Sequence, residues 1–123
     1  FQKIIKFYPN YAQVYYNFGK HKQNIFEYNE AMELYDKNIQ LDSTNKHSYY
    51  NMGFCAIQLG KNNQAISYFT EALLIDNSFL LAYHARAYLY DLTNNPEQAT
   101  KDWKNCLLLN PSYIPALKAL TSR

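Results

Sequence analysis

The side chains able to do covalent or metal chemistry are few in this 123-residue chain, which holds three His and two Cys. A metal site built on His47 and His84 would need further ligands at short range. Cys55 and Cys106 form neither a metal-ligand spacing nor a disulfide framework. Neither has a local His or a helix N-terminus that would mark a thiolate nucleophile. There is no Gly-rich phosphate loop, no HExxH-type pair and no Ser-His-Asp arrangement. Glu27, Glu30, Glu33, Asp36 and Lys37 read as a solvated helix face. The chain is therefore expected to have no catalytic residue, to be no enzyme, and to hold no metal or cofactor. The chemistry left to it is that of recognition, carried by amides and aromatic rings. One string concentrates both: "VYYNFGK" begins at Val14, and "SYYNMGF" begins at Ser48.

Those two copies stand 34 positions apart, and the step recurs along the chain. It links Gly19, Gly53 and Ala87, and it links Tyr15, Tyr49 and Tyr83. It links Ala31, Ala65 and Ala99, then Tyr35, Phe69 and Trp103, then Asn38, Ala72 and Cys106. Pro9, Ser43, Asn77 and Pro111 share one register. Within each period, apolar residues recur at steps of three and four, as at Tyr49, Met52 and Ala56, or Ala65, Phe69, Ala72 and Leu73. That places them on one helix face. The pattern predicts helices over 1–7, 12–24, 28–41, 46–59, 62–75, 80–92, 96–109 and 113–121, with no strands. "NNPEQA" supplies a cap at Asn95 with Pro96 at the first helical position. "LDST", "IDNS" and "LNPS" supply polar turns.

A period of about 34 with aromatic, small, Ala, aromatic and Pro landmarks resembles the tetratricopeptide repeat family. Residues 12–45, 46–79 and 80–113 read as full repeats. Residues 1–11 read as the second half of a preceding repeat, and 114–123 as the first or capping helix of a following one. The array is accordingly expected to continue past both ends. The resemblance implies an all-α, right-handed α-solenoid of antiparallel helix pairs, with the first helix of each pair lining a concave groove. Gly19, Gly53 and Ala87 are expected to oppose Ala31, Ala65 and Ala99. Tyr35, Phe69 and Trp103 are expected to fill the gaps between repeats. Lys22 and Asn38 depart from the pattern, which predicts looser packing in the first full repeat.

The resemblance also places the partner-binding residues. Tyr16, Asn17 and Lys20 come from the first repeat, His47, Tyr50, Asn51 and Phe54 from the second, and Leu81, His84 and Tyr88 from the third. Gln13, Ile57 and Leu92 lie at the margins, with Asp91 nearby. Asn17 and Asn51 would form two rungs on the backbone of an extended peptide. They resemble, in short form, the asparagine ladder of the O-GlcNAc transferase repeats; Ala85 breaks it in the third. His21 is expected to be a buried or edge residue of its helix, and the two Cys small core residues.

Many members of the family grip the acidic tail of a chaperone through a carboxylate clamp of Lys, Asn and Arg. The matching places here hold Tyr16, Lys20, Asn51, Leu81 and Ala85, and only Asn51 fits. A frame one repeat later gives Tyr50, Phe54, Ala85, Pro115 and Ala119. Without cationic donors, a chaperone C-terminal tail is not the expected partner. The net charge of +2 comes from scattered Lys and Arg, which predicts neither a nucleic-acid nor a membrane partner. The expected function is a non-catalytic module holding a peptide or helix of a partner protein. Two rivals stand beside it: an architectural segment whose groove is filled by contacts with itself, and a targeting domain of a multidomain enzyme.

Overall fold

A computed structural model describes residues 11–123. The expected helix 1–7 and Pro9 lie outside the described residues. Seven helices follow one another, with no strand among the described residues: α1 (Ala12–Asn24), α2 (Tyr28–Leu41), α3 (Lys46–Gln58), α4 (Asn62–Ile75), α5 (Leu80–Leu92), α6 (Pro96–Leu109) and α7 (Ile114–Thr121). Helices α1 and α2, α3 and α4, and α5 and α6 pair as hairpins. Helix α2 then packs on α3, α4 on α5, and α6 on α7. Each unit thus covers the apolar face of the next, which is how an α-solenoid buries its core.

Turn chemistry enforces the pairing. Between repeats, Asp42, Asp76 and Asn110 occupy one register, and each side-chain oxygen accepts the backbone N–H two residues on, from Thr44 (3.1 Å), Ser78 (3.0 Å) and Ser112 (3.2 Å). These are Asx turns. Within repeats, the turns share another register, in which Phe26, Gly60 and Asn94 all have positive φ, at 66°, 75° and 63°. Pro96 opens α6 as expected, but Asn95 does not cap it. Its amide donates instead to Thr93 O and Oγ1. The side-chain cap is Asn45, which accepts from the N–H groups of His47 and Ser48.

Ala31, Ala65 and Ala99 are fully buried, and Tyr35, Phe69 and Trp103 nearly so. A Cβ on Gly53 would lie 2.6 Å from the Phe69 ring, and one on Gly19 2.8 Å from the Tyr35 ring. The glycine makes room for the aromatic of its own repeat. That aromatic also reaches the next repeat: Phe69 clusters with Ala56 and Ala65 and with Leu89 of α5.

Neither departure in the first repeat loosens it. Asn38 is buried, and its amide donates to Ala12 O (2.8 Å) while its oxygen accepts from Ser48 Oγ (2.7 Å) and Asn45 Nδ2 (3.1 Å). A buried amide so paired has no desolvation penalty left uncompensated. It ties α1, α2 and the start of α3 together. Lys22 bridges Glu27 (2.7 Å) and Glu30 (2.9 Å) and lies over the Phe18 ring. In the third repeat, Arg86 makes a two-pronged contact with Asp102 (2.7 and 2.8 Å), donates to Thr70 Oγ1, and stacks on Tyr83 and Tyr90.

Candidate functional site

Helices α3 and α5 and the residue before α7 line an open cavity of 280 Å³, formed by Tyr50, Ile57, Leu81, His84, Ala85, Tyr88 and Tyr113. Its walls follow from helix geometry. Leu81, His84, Ala85 and Tyr88 recur at steps of three and four on α5, and so share one face. About a quarter turn round the helix from that face, Ala82 and Leu89 are buried. Tyr50 is fixed from behind by Phe69 and Phe79, with ring centroids 5.5 and 5.2 Å away. The same contact recurs one repeat later, where His84 meets Tyr113 (5.5 Å) and Trp103 (5.1 Å).

The cavity is mainly apolar, and its polar side-chain groups are the His84 ring and the hydroxyls of Tyr50, Tyr88 and Tyr113. His84 Nδ1 and the Tyr113 hydroxyl share a hydrogen bond. Burial lowers the pKa of His84 from its ordinary value, so the imidazole is held neutral at physiological pH. Burial raises the pKa of Tyr50 and of Tyr113. Burial thus holds His84, Tyr50 and Tyr113 in their neutral forms. Such a cavity offers an occupant desolvation and ring contact, with one hydroxyl–imidazole pair for orientation.

Of the ten residues expected to bind a partner, this cavity brings together Tyr50, Leu81, His84 and Tyr88. Phe54 and His47 flank it: Phe54 is half exposed against Tyr28, and His47 is exposed against Phe79. Tyr16 is half-buried, and burial raises its pKa, while its hydroxyl interacts with the Asn51 amide, which lowers it. Asn51 is thus nearly buried, at 8% exposure, and engaged across the repeat joint. Asn17 is exposed, and its oxygen accepts from Gln13. The two asparagines do not form equivalent open rungs. Lys20 is exposed on α1. Asp91 is committed elsewhere, to Trp103 Nε1 and Arg123. Tyr113 is the wall the sequence reading missed. Its signal was its register with Phe79, 34 positions earlier, since Phe79 packs on Tyr50 as Tyr113 packs on His84.

The remaining reactive groups have structural partners. Burial pushes the Cys55 thiol up to about 12 and the Cys106 thiol up to about 11, so both are protonated at neutral pH. Cys106 occupies the Asn38 register and points its sulfur at Leu80 O. His21 is exposed rather than buried, its ring against Phe18. Among the described residues, no group of His, Cys, Asp and Glu is placed to hold a metal ion. No helix among them is long and apolar enough to cross a membrane.

Comparison with known proteins agrees with this architecture. The tetratricopeptide repeat pattern matches residues 1–45, 46–79 and 80–113. A crystal structure of MamA superposes with a TM-score of 0.91 at 24% identity, over 96% of this chain and 69% of that one, a likeness of fold. The first such domain of Spaghetti (RPAP3), bound to the HSP90 peptide SRMEEVD, superposes at 0.83 with 26% identity over 90% of this chain and 88% of that one. The corresponding domain of Arabidopsis OM64 gives 0.82 at 25% identity, over 90% and 92%. No curated protein sequence matches the chain.

Proposed function

The chain belongs to the tetratricopeptide repeat family, and from that premise we propose that it is a non-catalytic protein-interaction module whose first-helix face holds a segment of a partner protein. The observation that carries the proposal is the cavity between Tyr50 and Tyr113, mainly apolar and with its His84 held neutral. It takes an uncharged, bulky side chain as anchor. Tyr88, Leu81 and Phe54 extend the apolar strip with 52%, 51% and 37% of their surface exposed, and anchors of this kind dominate interface energies. Lys20, Tyr16 and Asn17 form the flank of the groove on α1, with Asn51 positioning Tyr16.

The peptide bound to RPAP3 names a different chemistry. SRMEEVD is acidic, and an acidic tail needs cations to meet it. The cavity lining contains no Lys or Arg, which favours an uncharged anchor over that tail. Peptides selected by display on the intact chain test the choice, with SRMEEVD as the acidic comparator. The expected selection is for apolar or aromatic residues. Tyr88→Ala and Phe54→Ala weaken the selected peptides by about tenfold or more each, and affinity changes little with salt. Tight, salt-sensitive binding of SRMEEVD that ignores both variants would refute the proposal.

A further inference from the structure

The turn between α1 and α2 carries an aromatic residue where the backbone disfavours one. Phe26, Gly60 and Asn94 occupy the same register, and all three adopt the left-handed conformation. Gly and Asn are the residues that tolerate it, whereas a bulky side chain there is a genuine outlier. Burial within the chain does not compensate. Phe26 is 75% exposed, and its ring contact among the described residues is with Tyr28 at 6.3 Å. Its neighbour Ile25 is 45% exposed. The turn thus holds an apolar knob in solvent at a cost to the fold, and such outliers point toward function.

The same molecule carries a matching recess. The 280 Å³ cavity is somewhat smaller than the roughly 300–1,000 Å³ of sites for drug-sized ligands, a size suited to one large side chain. Its lining is apolar and aromatic, with His84 neutral, so a phenyl ring enters without desolvating a charge. Tyr50, His84, Tyr88 and Tyr113 present ring faces and edges for offset and edge-on contacts. The knob lies on the first repeat and the recess on the second and third, so one chain presents both surfaces separately.

We infer that the ring of Phe26 occupies the cavity between Tyr50 and Tyr113 of a second copy of this chain. The contact pairs two different surfaces of the chain, so two copies can exchange it reciprocally as a two-fold dimer or pass it on head to tail. One ring and its neighbours bury less than a standard interface, so the association is weak and concentration-dependent. The inference rests on the reading of the cavity as a ligand site and names one occupant for it. A partner peptide anchored there displaces the turn.

Sedimentation velocity of the intact chain over a wide concentration range tests this, using the wild type, Phe26→Gly, Tyr88→Ala and an equimolar mixture of the two variants. The wild type is expected to sediment faster as concentration rises. Each variant alone stays monomeric, because one lacks the knob and the other the recess. The mixture regains association but stops at heterodimers, since only one productive contact per pair survives. Phe26→Gly is also expected to melt at a higher temperature than the wild type. A wild type that stays monomeric throughout, or a Phe26→Gly chain that associates as the wild type does, overturns the inference. So does a mixture that remains monomeric, or a lower melting temperature for Phe26→Gly, which would mean that the ring packs within its own chain. Tyr88→Ala is checked by its melt, and Leu81→Lys, which closes the same recess, serves if it fails to fold. None of these results touches the displayed-peptide selection, so the broader groove reading stands or falls separately.

Discussion

Substituting Gly53 by Ala sets two opposed effects against each other within one methyl group. Gly53 lies inside α3, where Ala is favoured over Gly by about 0.8–1.0 kcal/mol. On propensity alone the change stabilises. Yet the new Cβ would stand 2.6 Å from both Cε1 and Cζ of Phe69 and 3.0 Å from Cδ1. Carbon atoms pack at about 3.5–4.0 Å, so either the ring or the helix must move by roughly an ångström. The ring has nowhere to go: Phe69 is 1% exposed and enclosed by Ala56, Ala65, Leu89 and Tyr50. Overpacking of this kind costs about 1–3 kcal/mol, and with a rigid ring the upper half applies. The net expectation is a loss of about 1–2 kcal/mol. For a chain of this length that lowers the melting temperature by about 3–10 °C. Thermal and urea melts followed by circular dichroism read both. Gly19→Ala serves as comparator and should cost less, since its nearest contact is 2.8 Å. Phe69→Leu opens the space, so the double variant should be more stable than the two single effects added together. A Gly53→Ala chain as stable as the wild type, or a double variant that is simply additive, would refute the account of Gly53 as clearance for the ring.

Ala65, fully buried against Ala56 and Phe69, has no room for extra methylenes, so Ala65→Leu should cost about 1–3 kcal/mol in the same melts. Asp102→Ala leaves the Arg86 guanidinium, only 18% exposed, without its carboxylate, and should cost about 3–5 kcal/mol. Replacing both, as Arg86→Met with Asp102→Leu, should recover most of that loss, because the unpaired charge and not the missing bridge carries the penalty. His84 gives a pH dependence of fixed sign. Its pKa in the folded chain lies below the ordinary 6.5, so the unfolded chain takes up the proton first as pH falls. The stabilisation is complete above about pH 6.5 and is lost progressively below it. Melting temperatures should therefore drop more steeply between about pH 7 and about pH 5 in the wild type than in His84→Gln, and parallel curves would exclude the effect.

Helix positions were legible because a 34-residue period overdetermines them. Expected spans 46–59 and 113–121 became Lys46–Gln58 and Ile114–Thr121, differences of one residue at fraying ends. The burial of Ala31, Ala65 and Ala99 followed from the same register. What faced what was harder to read. Gly53 and Ala65 are both small, and spacing alone suggests that they meet. The nearest group to Gly53 is the phenyl ring four residues further along α4, a contact that spacing alone does not show. Polar departures were harder still. Asn38, in a register otherwise filled by Ala and Cys, looked like a packing fault, because its partners Ala12 O and Ser48 Oγ lie 26 residues before it and 10 after it. At the groove, the sequence identified α3 and α5 but not Tyr113, which stands at the N-terminal boundary of α7 and not on a first-helix face.

The departures from the repeat therefore divide by whether the chain satisfies them internally. Asn38 completes a hydrogen-bond network, Lys22 meets two glutamates, and Arg86 meets Asp102, Thr70 and two rings. In each case the unusual side chain fastens neighbouring helices, so a structural role accounts for it in full. Phe26 differs, because its backbone conformation costs energy and, among the described residues, its ring has a single ring contact to set against that cost. The groove residues divide the same way. Asn51 and Tyr16 engage each other and stiffen the joint, whereas Leu81, Tyr88 and Phe54 leave apolar surface open. Recognition in a repeat protein is carried by what the repeat itself leaves unmatched. Here that remainder is an exposed ring on one turn and an apolar recess two repeats along.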